Sequence, residues 1–202
     1  MLIGTKICLG PVLQADGPLI FNWTNTHGLA VLNGVYRPTD QSRFDGWMSG
    51  LGNDPTRTVF AIRKQGDLRL LGYVQIANIH PAIHSAEMGI LIGGIADRGQ
   101  GYGQEAMRMA VEFCWRELNL QRLSLYVYGA NDHAIRVYSK IGFVHEGLLR
   151  RAGYVDGRYV DVTVMGMLRR DGEEWHLLGQ ADRLPDASAQ GDAERAWMSS
   201  CL

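Results

Sequence analysis

Three glycines in five positions, Gly99, Gly101 and Gly103, constrain this chain more than any other feature, because a strand-like run over residues 87–92 precedes them and an amphipathic helix pattern follows. Glycine lets the backbone turn tightly and bring its N–H groups close to a ligand, and a helix N-terminus behind the turn favours negative charge. Arg98-Gly99-Gln100-Gly101-Tyr102-Gly103 therefore reads as an anion cradle suited to a phosphorylated cofactor. The helix after it carries Gly103, Ala106, Met107, Ala110, Phe113, Cys114 and Leu118 on one face, with Gln104, Arg108, Glu112, Arg116 and Glu117 on the other. A half-buried strand follows over residues 122–128, where Leu123, Leu125 and Val127 alternate with Ser124, Tyr126 and Tyr128.

Two familiar phosphate sites share this outline and fail on particular residues. A Walker A loop needs Lys-Ser or Lys-Thr after its last glycine, and Gly103 is followed by Gln104-Glu105. A dinucleotide fingerprint needs an acidic residue at the end of the next strand, and that strand ends Val127-Tyr128-Gly129. Further along, residues 129–132 offer a turn and an N-cap, and Ala134, Ile135, Tyr138 and Ile141 share one helical face up to Gly142.

The two segments together resemble the GNAT superfamily of acyl-CoA-dependent N-acetyltransferases. Residues 98–103 match its R/Q-x-x-G-x-G/A cofactor loop, and residues 131–143 match N-x-x-A-I-x-x-Y-x-K-x-G-F. The resemblance covers about residues 10–169; residues 85–90 and 156–162 make it most similar to the branch holding ribosomal-protein alanine and spermidine acetyltransferases. It implies an α/β fold with a central mixed, largely antiparallel sheet, flanked by helices and splayed at the acyl-CoA site. It also implies direct transfer of an acetyl group from acetyl-CoA to a primary amine, of a small molecule or a peptide N-terminus. By the same resemblance the pyrophosphate sits on the amides of Arg98, Gly99, Gln100, Gly101, Tyr102, Gly103 and Gln104, with the Arg98 side chain adding charge. Backbone N–H near Leu91 or Ile92 polarises the thioester carbonyl, and Asn131 helps hold the pantetheine arm.

Spacing alone places Tyr138 in the core; the motif match makes it the acid that protonates the departing thiolate. Glu87, early on the strand before the cradle, is the candidate base, directly or through a water. His80 and His84 flank the same strand as further candidate bases, and each alone reads as a loop histidine. No metal site is expected from the six histidines and three cysteines. The alternative of another class is a non-catalytic acyl-CoA-binding regulator.

With a net charge of −1 and no Lys/Arg cluster, a nucleic-acid partner is not expected. No basic region with a hydrophobic core opens the chain and no window reaches the apolar length of a membrane span, so a reducing cytoplasm fits best. A homodimer is compatible with the resemblance. Residues 1–170 read as the acetyltransferase domain and 171–202 as a mobile or peripheral extension, rich in Gly, Asp, Ala, Ser and Gln, with Trp175, Leu177 and Leu178 docking its start. Outside the motifs, residues 3–13 read as an opening strand and 17–32 and 41–51 as helices. Residues 58–63 and 68–78 read as a hairpin, and Asp156-Gly157 as the turn of a late one. In the family the acceptor site lies between the first helices, residues 23–36, and that late hairpin, residues 151–159. These segments lack a dense acidic cluster, although Asp16, Asp40 and Asp45 are near, which disfavours a polycation and favours an amino-sugar, amino-acid or peptide N-terminal amine.

Overall fold

A computed structural model of the chain describes residues 1–34 and 36–169. The extension expected from residue 171 lies outside the described residues. Two short strands open the chain, β1 (Leu2–Ile3) and β2 (Ile7–Gly10), followed by helices α1 (Gly17–Asn25), α2 (His27–Ala30) and α3 (Gln41–Gly50). Strands β3 (Thr58–Lys64), β4 (Leu70–His80) and β5 (Ser85–Ile92) lead to α4 (Tyr102–Arg116). Then come β6 (Arg122–Tyr128), α5 (Asp132–Ile141), β7 (Val144–Val155) and β8 (Arg158–Leu168). The opening strand expected over residues 3–13 is thus a tight hairpin, because Gly4-Thr5-Lys6 reverses the chain and Gly4 N–H closes on Ile7 O at 2.9 Å.

These strands form one sheet in the order β1-β2-β3-β4-β5-β6-β8-β7. Every pairing is antiparallel except β5 with β6. The α/β sheet is therefore mixed and largely antiparallel, as the resemblance implies. Helix α4 presses Ala106, Met107, Ala110, Val111, Cys114 and Trp115 into the larger core, with Ala86 and Met88 of β5 and Leu123, Leu125 and Val127 of β6. A second cluster joins Ile20, Trp23, Leu29, Phe44 and Met48 to Ala61, Leu70 and Leu91, so α1–α3 cover the opposite face of the N-terminal half. Since strand side chains alternate between faces, Ala86 and Met88 look toward α4 while Glu87 and Leu91 look toward the α1–α3 face. No helix among the described residues is long and apolar enough to cross a membrane.

Candidate active site

Strands β5 and β6 are in register only at Ser85↔Arg122, Ala86↔Leu123 and Glu87↔Ser124. Beyond that point β5 stays with β4 as far as Gly72↔Ile92, and β6 stays with β8 as far as Tyr128↔Val162. A wedge-shaped gap therefore opens between the two central strands, with Glu87 at its vertex. Gly72 lets β5 lean away: a β-carbon there would collide with the carbonyl of Leu91. At the strand's end a β-carbon on Gly93 would fall inside the indole of Trp23, so the bare glycine seats α1 against the mouth of the gap.

Gly93 N–H donates to Leu71 O at 3.0 Å. Bonding to one neighbour alternates along a strand, so this bond and the register turn the N–H of Leu91 toward β4 and those of Ile90 and Ile92 toward the gap. The Leu91 N–H thus faces β4 rather than the gap, and its side chain, 6% exposed, lies within the α1–α3 cluster.

The glycine loop follows at the gap's open end. Gly99 and Gly101 have φ of 73° and 86°, a left-handed conformation that costs any residue with a β-carbon. Gly103 has ordinary helical φ, and a β-carbon there would come into ordinary contact with Ile90 and Ile92. Asp40 caps α3 through Arg43 N–H at 2.9 Å, and Asn131 caps α5 through Ala134 N–H at 3.1 Å. At 15 residues α4 is the longest helix described, yet its N-cap is Gly101 and no side chain closes it. The N–H groups of Gly99, Gln100, Gly101, Tyr102, Gly103 and Gln104 meet no acceptor among the described residues. A row of orphan donors on a positive helix end fits a diphosphate.

The Arg98 guanidinium lies elsewhere than expected. It donates to Ile92 O at 3.2 Å and Gly93 O at 3.4 Å, pinning the end of β5 rather than facing the cradle. Lys6, which no sequence pattern singled out, reaches the loop instead: its Nζ donates to Gln100 O at 3.2 Å. Only the fold joins these residues, so the sequence carries no local signal for Lys6. Arg69 grips Asp97 with two bonds of 2.9 and 2.8 Å, which holds that carboxyl below its ordinary range and anchors the turn before the cradle.

Tyr138 packs against the larger core from α5, on the α4 side of the sheet. Burial pushes its phenol up to about 12, and its hydroxyl donates to no described residue. Glu87 is half-buried, and its carboxylate also makes no hydrogen bond or ion pair among the described residues. The two groups thus belong to opposite faces of the sheet. His80 and His84 lie at the closed end of β5, exposed to solvent. Asn131 commits its side-chain oxygen to the α5 cap. Burial raises the Cys8 thiol and pushes that of Cys114 up to about 12, so neither supplies a thiolate. No group of three or more His, Cys, Asp or Glu side chains among the described residues could hold a metal.

The acceptor walls anticipated from the resemblance meet in space. His27, opening α2, lies 3.9 Å from Asp156 at the tip of the β7–β8 hairpin, and its ring sits edge-on to Tyr36 at 5.2 Å.

The chain matches the acetyltransferase (GNAT) domain over residues 6–144. It is 33% identical over 100 residues to the spermidine N(1)-acetyltransferase of Vibrio cholerae, covering 50% of this chain and 57% of that protein. Against the putative ribosomal N-acetyltransferase YdaF of Bacillus subtilis the figures are 29% over 107 residues, 53% of this chain and 58% of the relative. These matches span little more than half the length of the curated relatives. Over the fold, the crystal structure of Vibrio cholerae spermidine N-acetyltransferase in complex with CoA and spermine superposes with a TM-score of 0.76 at 25% identity, covering 81% of this chain and 95% of that one. With a wedge between its central strands, an uncapped glycine loop at the wedge's mouth and the domain match over most of its length, this chain belongs to the GNAT acetyltransferase family.

Proposed function

We propose that the protein transfers an acetyl group from acetyl-CoA to a primary amine, with Glu87 as base and Tyr138 as acid. The observation that carries this reading is the wedge itself, with one proton acceptor at its vertex, one proton donor packed at α5 and uncapped amides at its mouth. Bound acetyl-CoA supplies an activated acetyl thioester. Glu87 takes the proton that the attacking amine must lose, the N–H groups of Ile90 and Ile92 face the gap where the carbonyl oxygen gathers charge, and Tyr138 returns a proton to the sulfur as the C–S bond breaks. A phenol at about 12 is fully protonated at neutral pH and is therefore in the donor form; a thiolate in water is the weaker base, so the transfer works only while the leaving sulfur shares the desolvation that raises the phenol. A regulator that only binds acyl-CoA would need neither group.

The acceptor we infer is an amino-acid, amino-sugar or peptide N-terminal amine rather than a polyamine. Support comes from three carboxylates near the first helices, Asp16, Asp40 and Asp45, each of which has other work. Asp16 is buried against Arg63 at 2.6 Å, Asp40 caps α3, and Asp45 accepts from Gln41 at 2.8 Å. A homodimer belongs to the same reading, supported by the exposed Val144, Leu148 and Leu149 on β7, the last strand of the sheet. Acetyl-CoA consumption with a panel of spermidine, amino acids, amino sugars and dipeptides tests the function. Turnover of spermidine alone overturns the acceptor class, and CoA binding without turnover of any amine leaves the regulator.

A further inference from the structure

We propose that Lys6 binds the diphosphate of the cofactor, so that the cradle's cationic side chain comes from the β1–β2 hairpin rather than from the glycine loop. The inference rests on the acetyl-CoA reading above.

Four observations lead to it. First, the cation inside the motif is engaged elsewhere, since Arg98 is spent on the carbonyls of Ile92 and Gly93. Second, Lys6 Nζ sits 3.2 Å from Gln100 O and 3.4 Å from where a β-carbon of Gly101 would lie, at the rim of the row of orphan amides. Third, the hairpin that carries Lys6 is fastened to the helix it serves. The Glu105 carboxylate, in the first turn of α4, accepts the backbone N–H groups of both Thr5 and Lys6, the latter at 3.0 Å. An acidic side chain is favourable at that end of a helix, and here its charge is met by backbone donors instead of opposing the ligand. Fourth, there is room beside the ammonium. An open depression of about 390 Å3, lined by Thr5, Lys6, Lys64, Gln65, Gln100 and Tyr102, adjoins the loop.

A P-loop places its lysine directly after the last glycine, where this chain has Gln104-Glu105. Here the same kind of charge reaches the same kind of loop through space, and Glu105 is the residue that positions it. Lys6 touches the ligand; Glu105 acts through Lys6.

Calorimetric titration of wild type, Lys6→Met and Glu105→Gln with CoA, dephospho-CoA and pantetheine tests the assignment. A hydrogen bond to a charged group is worth enough that Lys6→Met should weaken CoA roughly ten-fold or more. Dephospho-CoA should lose the same factor, because it keeps the diphosphate, and pantetheine should lose nothing. Glu105→Gln should weaken CoA by a smaller factor and again spare pantetheine. Unchanged CoA affinity in Lys6→Met overturns the proposal, as does a loss shared by pantetheine or a loss confined to CoA. An independent readout uses the unaltered protein: amine acetylation by an N-hydroxysuccinimide ester, located by mass spectrometry, should slow at Lys6 in saturating CoA and not in pantetheine. Equal labelling with and without CoA overturns the assignment without any variant. Failure of wild type to bind CoA at all would instead overturn the acetyl-CoA reading, so the two failures are distinct.

Discussion

Tyr138 and Glu87 ask for different experiments because their environments differ. Tyr138→Phe keeps the ring and its packing while removing the proton, so turnover should fall roughly 10- to 10⁴-fold with CoA affinity and melting temperature little changed. Burial raises the phenol to about 12, hence it stays protonated across the alkaline range, and no descending limb of kcat/KM below about pH 11 should belong to it. Any such limb that vanishes in Tyr138→Phe would contradict the buried phenol. For Glu87 the informative quantity is the acidic limb. A limb set by the substrate must move when an acceptor of different amine pKa is used, and one set by the enzyme must stay. Glu87→Gln should erase only the fixed limb and slow transfer at neutral pH without weakening acetyl-CoA binding. A profile identical to wild type would pass the proton to water or to a histidine.

At the scale of elements, two glycines make opposite demands. Gly101 carries a left-handed φ of 86° beneath Lys6, so Gly101→Val should abolish CoA binding, read by calorimetry, while the protein still folds. Gly72 has a negative φ and no ligand to admit; its role is to let β5 close on β4. Gly72→Val should force the two strands apart and cost about 1–3 kcal/mol, seen as a lower melting temperature. It should also reduce CoA affinity, since the wedge depends on where β5 leans. The elements themselves were legible because their periods are local: β6 and α5 follow their alternation and helical stripe to within a residue, and the Asp156-Gly157 turn joins β7 to β8. What was not legible is whatever depends on register. Nothing in the residues around 91 says which N–H faces a gap, and a residue's own neighbours cannot report that Lys6 will land on a loop nearly a hundred positions away. Arg98 satisfies the motif yet donates to the carbonyls of Ile92 and Gly93, a competition that the spacing does not encode.

The whole molecule is held in working order by a pair far from the chemistry. Arg63 on β3 and Asp16 ahead of α1 are 8% and 7% exposed at the side chain and 2.6 Å apart, and Asp16 also accepts Leu13 N–H at 2.8 Å. They fix the helical layer to the sheet. Asp16→Asn leaves a buried guanidinium without its counter-charge and should cost about 3–5 kcal/mol, measured as a lower urea midpoint, whereas Asp16→Asn combined with Arg63→Met should recover most of it. If the single variant unfolds like wild type, the pair is ornamental and the two layers are joined by apolar contact alone. The placement of Glu87 and Tyr138 on opposite faces has one more consequence. On the proposed reaction, a wedge open to both sides of the sheet would give the amine and the thioester separate doorways, so neither would have to wait for the other to seat. Steady-state lines should therefore intersect, and a dead-end analogue of either ligand should compete only with its own counterpart, the signature of a ternary complex assembled in either order.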